Sequence, residues 1–411
     1  MLTESTIIEL YTPVVYVIFN RPDCVKRSFE SIRNARPQKL FIIADGPRED
    51  HQDDRVLCDE CRKIVENVDW DCEVFRNYAD YNMGCGIRPA SGFSWVFSHV
   101  DRAIIIEDDC VPSASFFEFC QEMLEKYKND ERVFSVSGMN FEFESDNNAD
   151  YYFTHYNNTW GWATWKRVWD QYDFDIKAFS NSRTSEVFLS FMLEPEFVKF
   201  WKKHFQIAYE KKDRTAWDYQ FSFLSFINKG LHIYPQTNLV AYLGFDNHAT
   251  HTTSISKGDR LFYSTQQTYN IEFPVKHPAI VQADYRIDYL IMKEIFNVSA
   301  SGMKICKELP DCFYEKIQRH SDIIVYGAGE VARDVIRLFG REHIDEFIVA
   351  VTQLEGEKYL IGNTVHELAE LKHLKDKAIV VVAATKVYAD GMVEELKRNG
   401  FRNYIRVIDY M

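Results

Sequence analysis

Glu107, Asp108 and Asp109 stand in a row directly behind the apolar run Ile104-Ile105-Ile106. Three adjacent carboxylates at the end of a buried strand repel one another and lose hydration, so they need a cation or dedicated hydrogen bonds. Hard divalent cations such as Mg2+ or Mn2+ take oxygen ligands of this kind, often one or two carboxylates together with substrate phosphates. Capping of the helix that follows is an equal reading, because acids are favoured at helix N-termini. Asp218 lies inside the run Thr215-Ala216-Trp217-Asp218-Tyr219-Gln220. An Asp among aromatics can act as a shielded general base, or sit as a surface carboxylate between core rings. Trp160-Gly161-Trp162-Ala163-Thr164-Trp165 offers indole faces to sugar rings, with core packing as the plainer role for any one Trp. His248 and His251 fall in the polar run Asn247–Thr252. There a neutral imidazole can ligate a metal or meet a phosphate, and a solvated loop histidine is the alternative. Gly327-x-Gly329-x-x-Ala332 follows an apolar strand and has the form of a dinucleotide fingerprint. The acid expected for a ribose is absent, since the next strand runs into Thr352-Gln353.

These groups need elements to position them. Val14–Phe19 (VVYVIF) is a continuous apolar run, the signature of a strand buried on both faces. Asn20-Arg21-Pro22-Asp23 then starts a helix whose apolar face is Val25, Phe29 and Ile32. Further strands are expected at Leu40–Ala44, Val74–Asn77 and Ala103–Ile106, with helices at about Pro89–Val100 and Ser115–Tyr127. Such alternation means an α/β layer with a parallel sheet, whose ligands sit at the carboxyl ends of the strands. Asn20, Asp45 and Glu107 to Asp109 all lie at such ends and are expected to share one crevice. From about 140 to 255 the alternation breaks down and aromatics crowd Tyr151–Tyr172. A second α/β unit begins at Ser321, with strands expected at Ile323–Tyr326, Phe347–Val351, Ile379–Ala383 and Tyr404–Val407. The expected organisation is a domain over 1–290, a connection over 291–320 and a small nucleotide-binding half-domain over 321–411.

Composition bounds the function. A chain of 411 residues exceeds one ordinary core. With 48 basic against 62 acidic residues the net charge is −14, which argues against a nucleic-acid partner. A phosphorylated small ligand stays allowed if a metal or local dipoles offset the repulsion. No apolar stretch reaches the roughly 18–20 residues that span a bilayer. Met1–Tyr11 has Glu4 and Glu9 and no basic residue, unlike a signal peptide. Nine cysteines, an odd number, suit reduced thiols, and Cys58-x-x-Cys61 has no second pair to complete a zinc site. The expected location is the cytoplasm, with association at the inner face of a membrane left open.

Seven stretches in order, VVYVIFNRPD, FIIADGPR, NMGCGIRPASGF, AIIIEDDCVPS, NTWGWATWKRVW, TAWDYQ and ATHT, cover about 240 residues. Together they resemble glycosyltransferases of the GT-A fold, in particular the N-acetylglucosaminyltransferase I family and bacterial relatives of surface-polysaccharide synthesis. The resemblance implies a mixed, mostly parallel central sheet, followed here by a small C-terminal Rossmann-like domain outside the likeness. It implies that Asp109 contacts Mn2+ or Mg2+ bridging a donor diphosphate, with Glu107 and Asp108 at the ribose or orienting the site. Asn20, Arg21, Asp45 and Arg88 would line the nucleotide, Trp162 the sugar, and His251 the metal or diphosphate. Asp218 would be the base of an inverting transfer from a nucleotide sugar, UDP-linked, to a hydroxyl of a glycan or lipid-linked acceptor. The polar loop Asp246–Gly258 would order over the donor. Two other readings remain: an NAD(P)-dependent oxidoreductase built on Gly327, and a non-catalytic scaffold that binds glycan or nucleotide.

Overall fold

The computed structural model describes residues 9–145, 147–180, 192, 194–211, 216–244, 265–296, 298, 309–341, 344, 346–354, 359–360, 363–384 and 386–410. The chain divides into two compact units, Met1–Phe179 with Lys203–Phe296, and Ser180–Lys202 with Asn297–Met411.

In the first unit, β1 (Val14–Ile18) has four of its five residues buried, as its apolar run requires. The next helix, α1 (Pro22–Ala35), starts on Pro22, whose missing N–H costs nothing in the first turn, and buries Val25, Phe29 and Ile32. It stops at Arg36, which turns left-handed at φ 48° while its N–H still bonds to the Ile32 carbonyl. There follow β2 (Lys39–Ala44), α2 (Asp54–Glu66), β3 (Glu73–Tyr78), α3 (Gly84–Phe97) and β4 (Arg102–Glu107). These four strands are parallel, in the order β3-β2-β1-β4.

The chain continues through β5 (Cys110–Pro112), α4 (Ala114–Lys126), β6 (Val133–Ser137), β7 (Tyr151–Thr154) and β8 (Trp162–Trp165). Then come α5 (Asp218–Ile227), β9 (Leu231–Pro235), β10 (Val240–Tyr242) and α6 (Tyr285–Leu290). The sheet is completed as β4-β8-β6-β9-β7, with β8 antiparallel to both neighbours, while β5 and β10 form a separate pair. The result is a mixed α/β unit with a large sheet, four of whose seven ladders are parallel.

Two expectations change here. The aromatic crowding after Tyr151 is core: Tyr151, Tyr152, Phe153, Trp162, Trp165 and Trp169 are all buried. Trp162 and Trp165 lie on β8, interior to the sheet, Tyr151 to Phe153 on β7, and Trp169 in the short helix Lys166–Trp169, and all of these rings are closed off from solvent. The helix expected at Pro89–Val100 runs over Gly84–Phe97 and carries Pro89 inside it. Its start is set from outside, by a carboxylate just past β2, as described below.

In the second unit, α7 (Asp311–Ile317) precedes β11 (Asp322–Tyr326), α8 (Glu330–Arg341), β12 (Ile348–Val351), β13 (Tyr359–Leu360) and β14 (Asn363–Glu367). β15 (Ala378–Val382), α9 (Lys386–Arg398) and β16 (Tyr404–Arg406) complete it. The sheet order is β13-β14-β12-β11-β15-β16, parallel except for the β13–β14 hairpin, so the order reverses between β11 and β15. Gly327, directly after β11, has φ 135°, and a Cβ there would lie 2.6 Å from the Ala383 carbonyl oxygen. At the end of β12 the Thr352 hydroxyl bonds to Tyr326, with no carboxylate in that place.

Candidate active site

The carboxyl ends of β1 and β4 lie side by side, because Val17 pairs with Glu107. Asp108, just past β4, accepts from the Phe19 N–H at 3.1 Å and from the Arg21 guanidinium. The same Arg21 nitrogen reaches Asp109 at 3.0 Å. Burial pulls the guanidinium toward neutrality, but Asp108 and Asp109 outweigh it, so Arg21 is held charged. Burial pushes Asp108 up to about 6, with Arg21 opposing. From β1 the α1 helix adds Ser28, whose hydroxyl donates to the Asp108 carbonyl at 2.9 Å. Two of the three carboxylates are thus tied to β1 and α1.

Glu107 differs. It has no hydrogen-bond or ion-pair partner among the described residues, although part of it still reaches solvent. Desolvation first, then the charges of Asp109 and Asp108, push its carboxyl well above the usual range. Asp218 pushes in the same direction, so the expected base and the acidic run share one electrostatic field. Asp218 is the first residue of α5, where a carboxylate is favoured by the helix dipole. Its predecessor Trp217 anchors it, packed on Trp162 at 5.5 Å and on Phe93 at 5.0 Å, with its carbonyl accepting from the Tyr172 hydroxyl at 3.0 Å. Asp218 itself stays half-exposed.

The remaining expected residues fall into two groups. Asn20 lies beside this cluster but gives its amide N–H to Asp54 at 2.8 Å. Asp45 is buried, and both its oxygens are taken: Oδ1 accepts from Gly46 and Met83 N–H at 2.8 Å each, Oδ2 from Gly84 N–H at 3.0 Å and Asn82 at 3.1 Å. Four donors exhaust the lone-pair sites of a carboxylate. Asp45 therefore has an architectural use, capping α3 from just past β2, beside the nucleotide-holding role expected for it. Arg88 is likewise buried, its guanidinium bonded to the Ala44 carbonyl at 3.1 Å and to the Asn77 side chain at 2.9 Å. It clamps α3 onto β2 and β3 and does not line a ligand with those nitrogens. Trp162 is fully buried in β8, so it supports Trp217 from beneath rather than offering a face to sugar. His248, His251 and the loop Asp246–Gly258 lie outside the described residues.

Among the described residues no group of three His, Cys, Asp or Glu side chains is arranged to hold a metal. Asp109 is shared with Arg21, and its other oxygen meets the Cys110 thiol at 3.6 Å. The donor set does not form a closed protein cage. It fits an ion completed by phosphate oxygens and water, as is usual for Mg2+, with Glu107 beside Asp109 as a carboxyl that an arriving cation would ionise.

Other residues join the site without an obvious sequence signal. Tyr242 pairs with Cys110 across β5 and β10, and its ring stacks on Trp160 at 4.1 Å and 9°. The Leu243 N–H donates to the Asp109 carbonyl at 2.7 Å. A Cβ on Gly244 would lie 2.3 Å from the Tyr242 hydroxyl and 2.7 Å from Asp109 Oδ2, so a larger residue would require one of these side chains to move. Arg48 grips Asp54 through Nε at 2.6 Å and Nη2 at 2.9 Å, and its guanidinium lies 5.4 Å over the Phe19 ring. Apart from the Arg48–Asp54 pair, these contacts join residues far apart in the chain, which local pattern does not reveal.

No protein-family model matches the sequence, and no curated protein sequence matches it. Among solved structures, one likeness is to a mannosyltransferase from Pyrobaculum calidifontis in complex with GDP-Man and Mn2+. It has 10% identity and a TM-score of 0.32, and covers 53% of this chain and 70% of that one. A second is to mouse xyloside xylosyltransferase 1, at 11% identity and a TM-score of 0.27, covering 54% and 82%. A third is to a UDP-glucose pyrophosphorylase complexed with UDP-glucose, at 10% identity and a TM-score of 0.23, covering 39% and 79%.

Proposed function

We propose that the chain is a metal-dependent, inverting glycosyltransferase of GT-A type, which moves a sugar from a nucleotide donor, UDP-linked, to a hydroxyl of a glycan or lipid-linked acceptor. The observation that carries this is the unpartnered Glu107 at the carboxyl end of a parallel strand, beside Asp109 and within the field of Asp218. An ionised carboxylate that is partly removed from water without a donor is costly unless a cation arrives, and a metal–diphosphate supplies one. The resemblance of AIIIEDDCVPS and TAWDYQ to the family supports the same roles.

When bound through Asp109 and the donor phosphates, a divalent cation would act as a Lewis acid on the departing diphosphate. The rest falls to this chain's residues. Arg21 offers a second positive charge at the same place. Asp218, held on the buried Trp217, takes the proton of the acceptor hydroxyl as that oxygen attacks the anomeric carbon. One displacement from the opposite face inverts the configuration, through an oxocarbenium-like state. Residues 321–411, after a connection over 291–320, are proposed as a Rossmann-like half-domain. Its glycine turn lies where the strand order reverses, the usual ligand position in such sheets, but Thr352 in place of an acid gives no support to NAD(P) chemistry.

Bacterial surface-polysaccharide synthesis at the inner face of a membrane is the proposed setting. No described helix is long and apolar enough to cross a membrane. A thermal-shift screen of nucleotide sugars with and without Mn2+ tests the donor assignment, because a ligand stabilises by the logarithm of its concentration over its dissociation constant. Stabilisation by a UDP-sugar that requires Mn2+ is the expected result. A donor-independent melting point across the whole screen would remove the proposal.

A further inference from the structure

Asn157 lies against Ser222, which stands one helical turn past Asp218 on the same face of α5. The Ser222 hydroxyl is 2.7 Å from Asn157 Oδ1 and 3.0 Å from the Asp218 carbonyl oxygen. A hydroxyl has a single proton, and the shorter contact gives it to Asn157. The amide is thereby oriented. Its oxygen accepts from Ser222, and its NH2 group, on a half-buried residue, has no partner among the described residues. Three residues on, the Trp160 N–H donates to Asn158 Oδ1 at 2.9 Å, and the Trp160 ring lies on Tyr242 at 4.1 Å. The Tyr242 hydroxyl borders Asp109 Oδ2, since a Cβ on Gly244 would meet both. Four partly exposed residues, Asn157 to Trp160, therefore connect the turn of α5 that carries Asp218 to the carboxylate of Asp109.

We infer that Asn157 binds the acceptor, donating an amide N–H to an oxygen next to the attacking hydroxyl, an inference that rests on the proposed function. Residues four apart on a helix stand about 5–6 Å apart at their Cβ atoms. A molecule whose hydroxyl meets Asp218 thus brings its neighbouring atoms within reach of the amide braced on Ser222. That NH2 group needs an acceptor oxygen. A simple alcohol has no second oxygen to offer there, whereas a sugar ring carries hydroxyls on adjacent carbons. The acceptor is therefore a saccharide read through two vicinal oxygens: one gives its proton to Asp218, and the other accepts from Asn157. An acceptor lacking the second oxygen would leave the N–H donor desolvated and unmatched, which makes the selection against it sharp.

Sugar transfer and donor hydrolysis by the full chain, with radiolabelled UDP-sugars in Mn2+, test this on a panel of methyl hexopyranosides and their single-deoxy derivatives. Water can attack the anomeric carbon in place of the acceptor, and it needs Asp218 but not Asn157. A neutral hydrogen bond is worth about two- to tenfold in affinity. Asn157→Ala is therefore expected to raise KM for the accepted glycoside by about two- to tenfold, with kcat and donor hydrolysis unchanged. The deoxy derivative that lacks the second oxygen should lose as much with the parent, and nothing further with Asn157→Ala. An equal loss of transfer and hydrolysis in Asn157→Ala, which a purely structural role would give, would overturn the inference. So would a parental KM in that variant, or a parent chain that accepts every deoxy derivative as well as the full sugar. A parent that hydrolyses donor and uses no glycoside would overturn it too, and each of these results leaves the nucleotide-sugar chemistry standing. A parent that neither hydrolyses nor transfers from any UDP-sugar would instead remove the proposed function itself.

Discussion

Asp45 and Glu107 stand at or just past the carboxyl ends of two strands of one sheet, β2 and β4, with β1 between them. Their surroundings are opposite. Asp45 accepts four hydrogen bonds and serves the chain. Glu107 accepts none among the described residues and sits among like charges from Asp109, Asp108 and Asp218. A fold stabilises buried carboxylates by giving them donors, so the carboxylate left without one is the place where stability has been yielded to something else. Position at a strand end marks both residues as candidates for chemistry, and the count of donors separates them.

The comparison breaks most visibly in activity. Asp109→Ala is expected to abolish metal-dependent nucleotide binding and to lower transfer by at least about a thousandfold, since Lewis-acid stabilisation is worth several kcal/mol. Radiolabelled sugar transfer and Mn2+-dependent UDP calorimetry read the two losses. Asp218→Asn is expected to bind donor normally and to lose about a hundred- to ten-thousandfold in transfer, the range of a general base. Near-parental transfer by Asp218→Asn would remove the base from this helix end.

On stability the order reverses. Asp45→Asn turns one acceptor oxygen into an NH2 group facing backbone N–H donors. It is expected to cost about 3 kcal/mol, in line with breaking a buried charged hydrogen-bond network. Urea unfolding with an unchanged m-value would show the loss belongs to the native state. A smaller, pH-dependent term comes from Asp54, which the Arg48 side chain holds down to about 2. A depressed acid stabilises the fold above its unfolded value near 3.9 and loses that contribution as pH falls toward 2. Stability should therefore drop by about 2 kcal/mol between pH 4 and pH 2 through this group, and Asp54→Asn should flatten that limb.

The sequence carried β1 and β4 because they are largely buried and show as unbroken apolar runs, VVYVI and AIII. It did not carry α2, whose buried Cys58, Cys61 and Val65 are diluted among charges. The sequence left Trp162–Trp165 between a sugar platform and core packing because its register between β4 and β6 is a long-range fact. Asp45 is the instructive case. Its position behind FIIA was legible, but its role depends on donors 37 to 39 residues downstream. The pairing of Tyr242 with Trp160 was invisible for the same reason.

The finest test exchanges one atom. Glu107→Gln removes a charge with little change in shape. In the unliganded chain the carboxyl of Glu107 is already pushed toward its neutral form by burial and by Asp109 and Asp108. The amide resembles that neutral form, so the variant should melt at or slightly above the parental temperature, a gain of at most about 1 kcal/mol. With UDP and Mn2+ the sign should change, because a cation favours the ionised carboxylate and gains nothing from the amide. The parent should then be stabilised by ligand more than the variant is. An architectural Glu107 would behave otherwise: its glutamine variant would lose stability without ligand, as Asp45→Asn does, and the distinction between the two strand ends would fail.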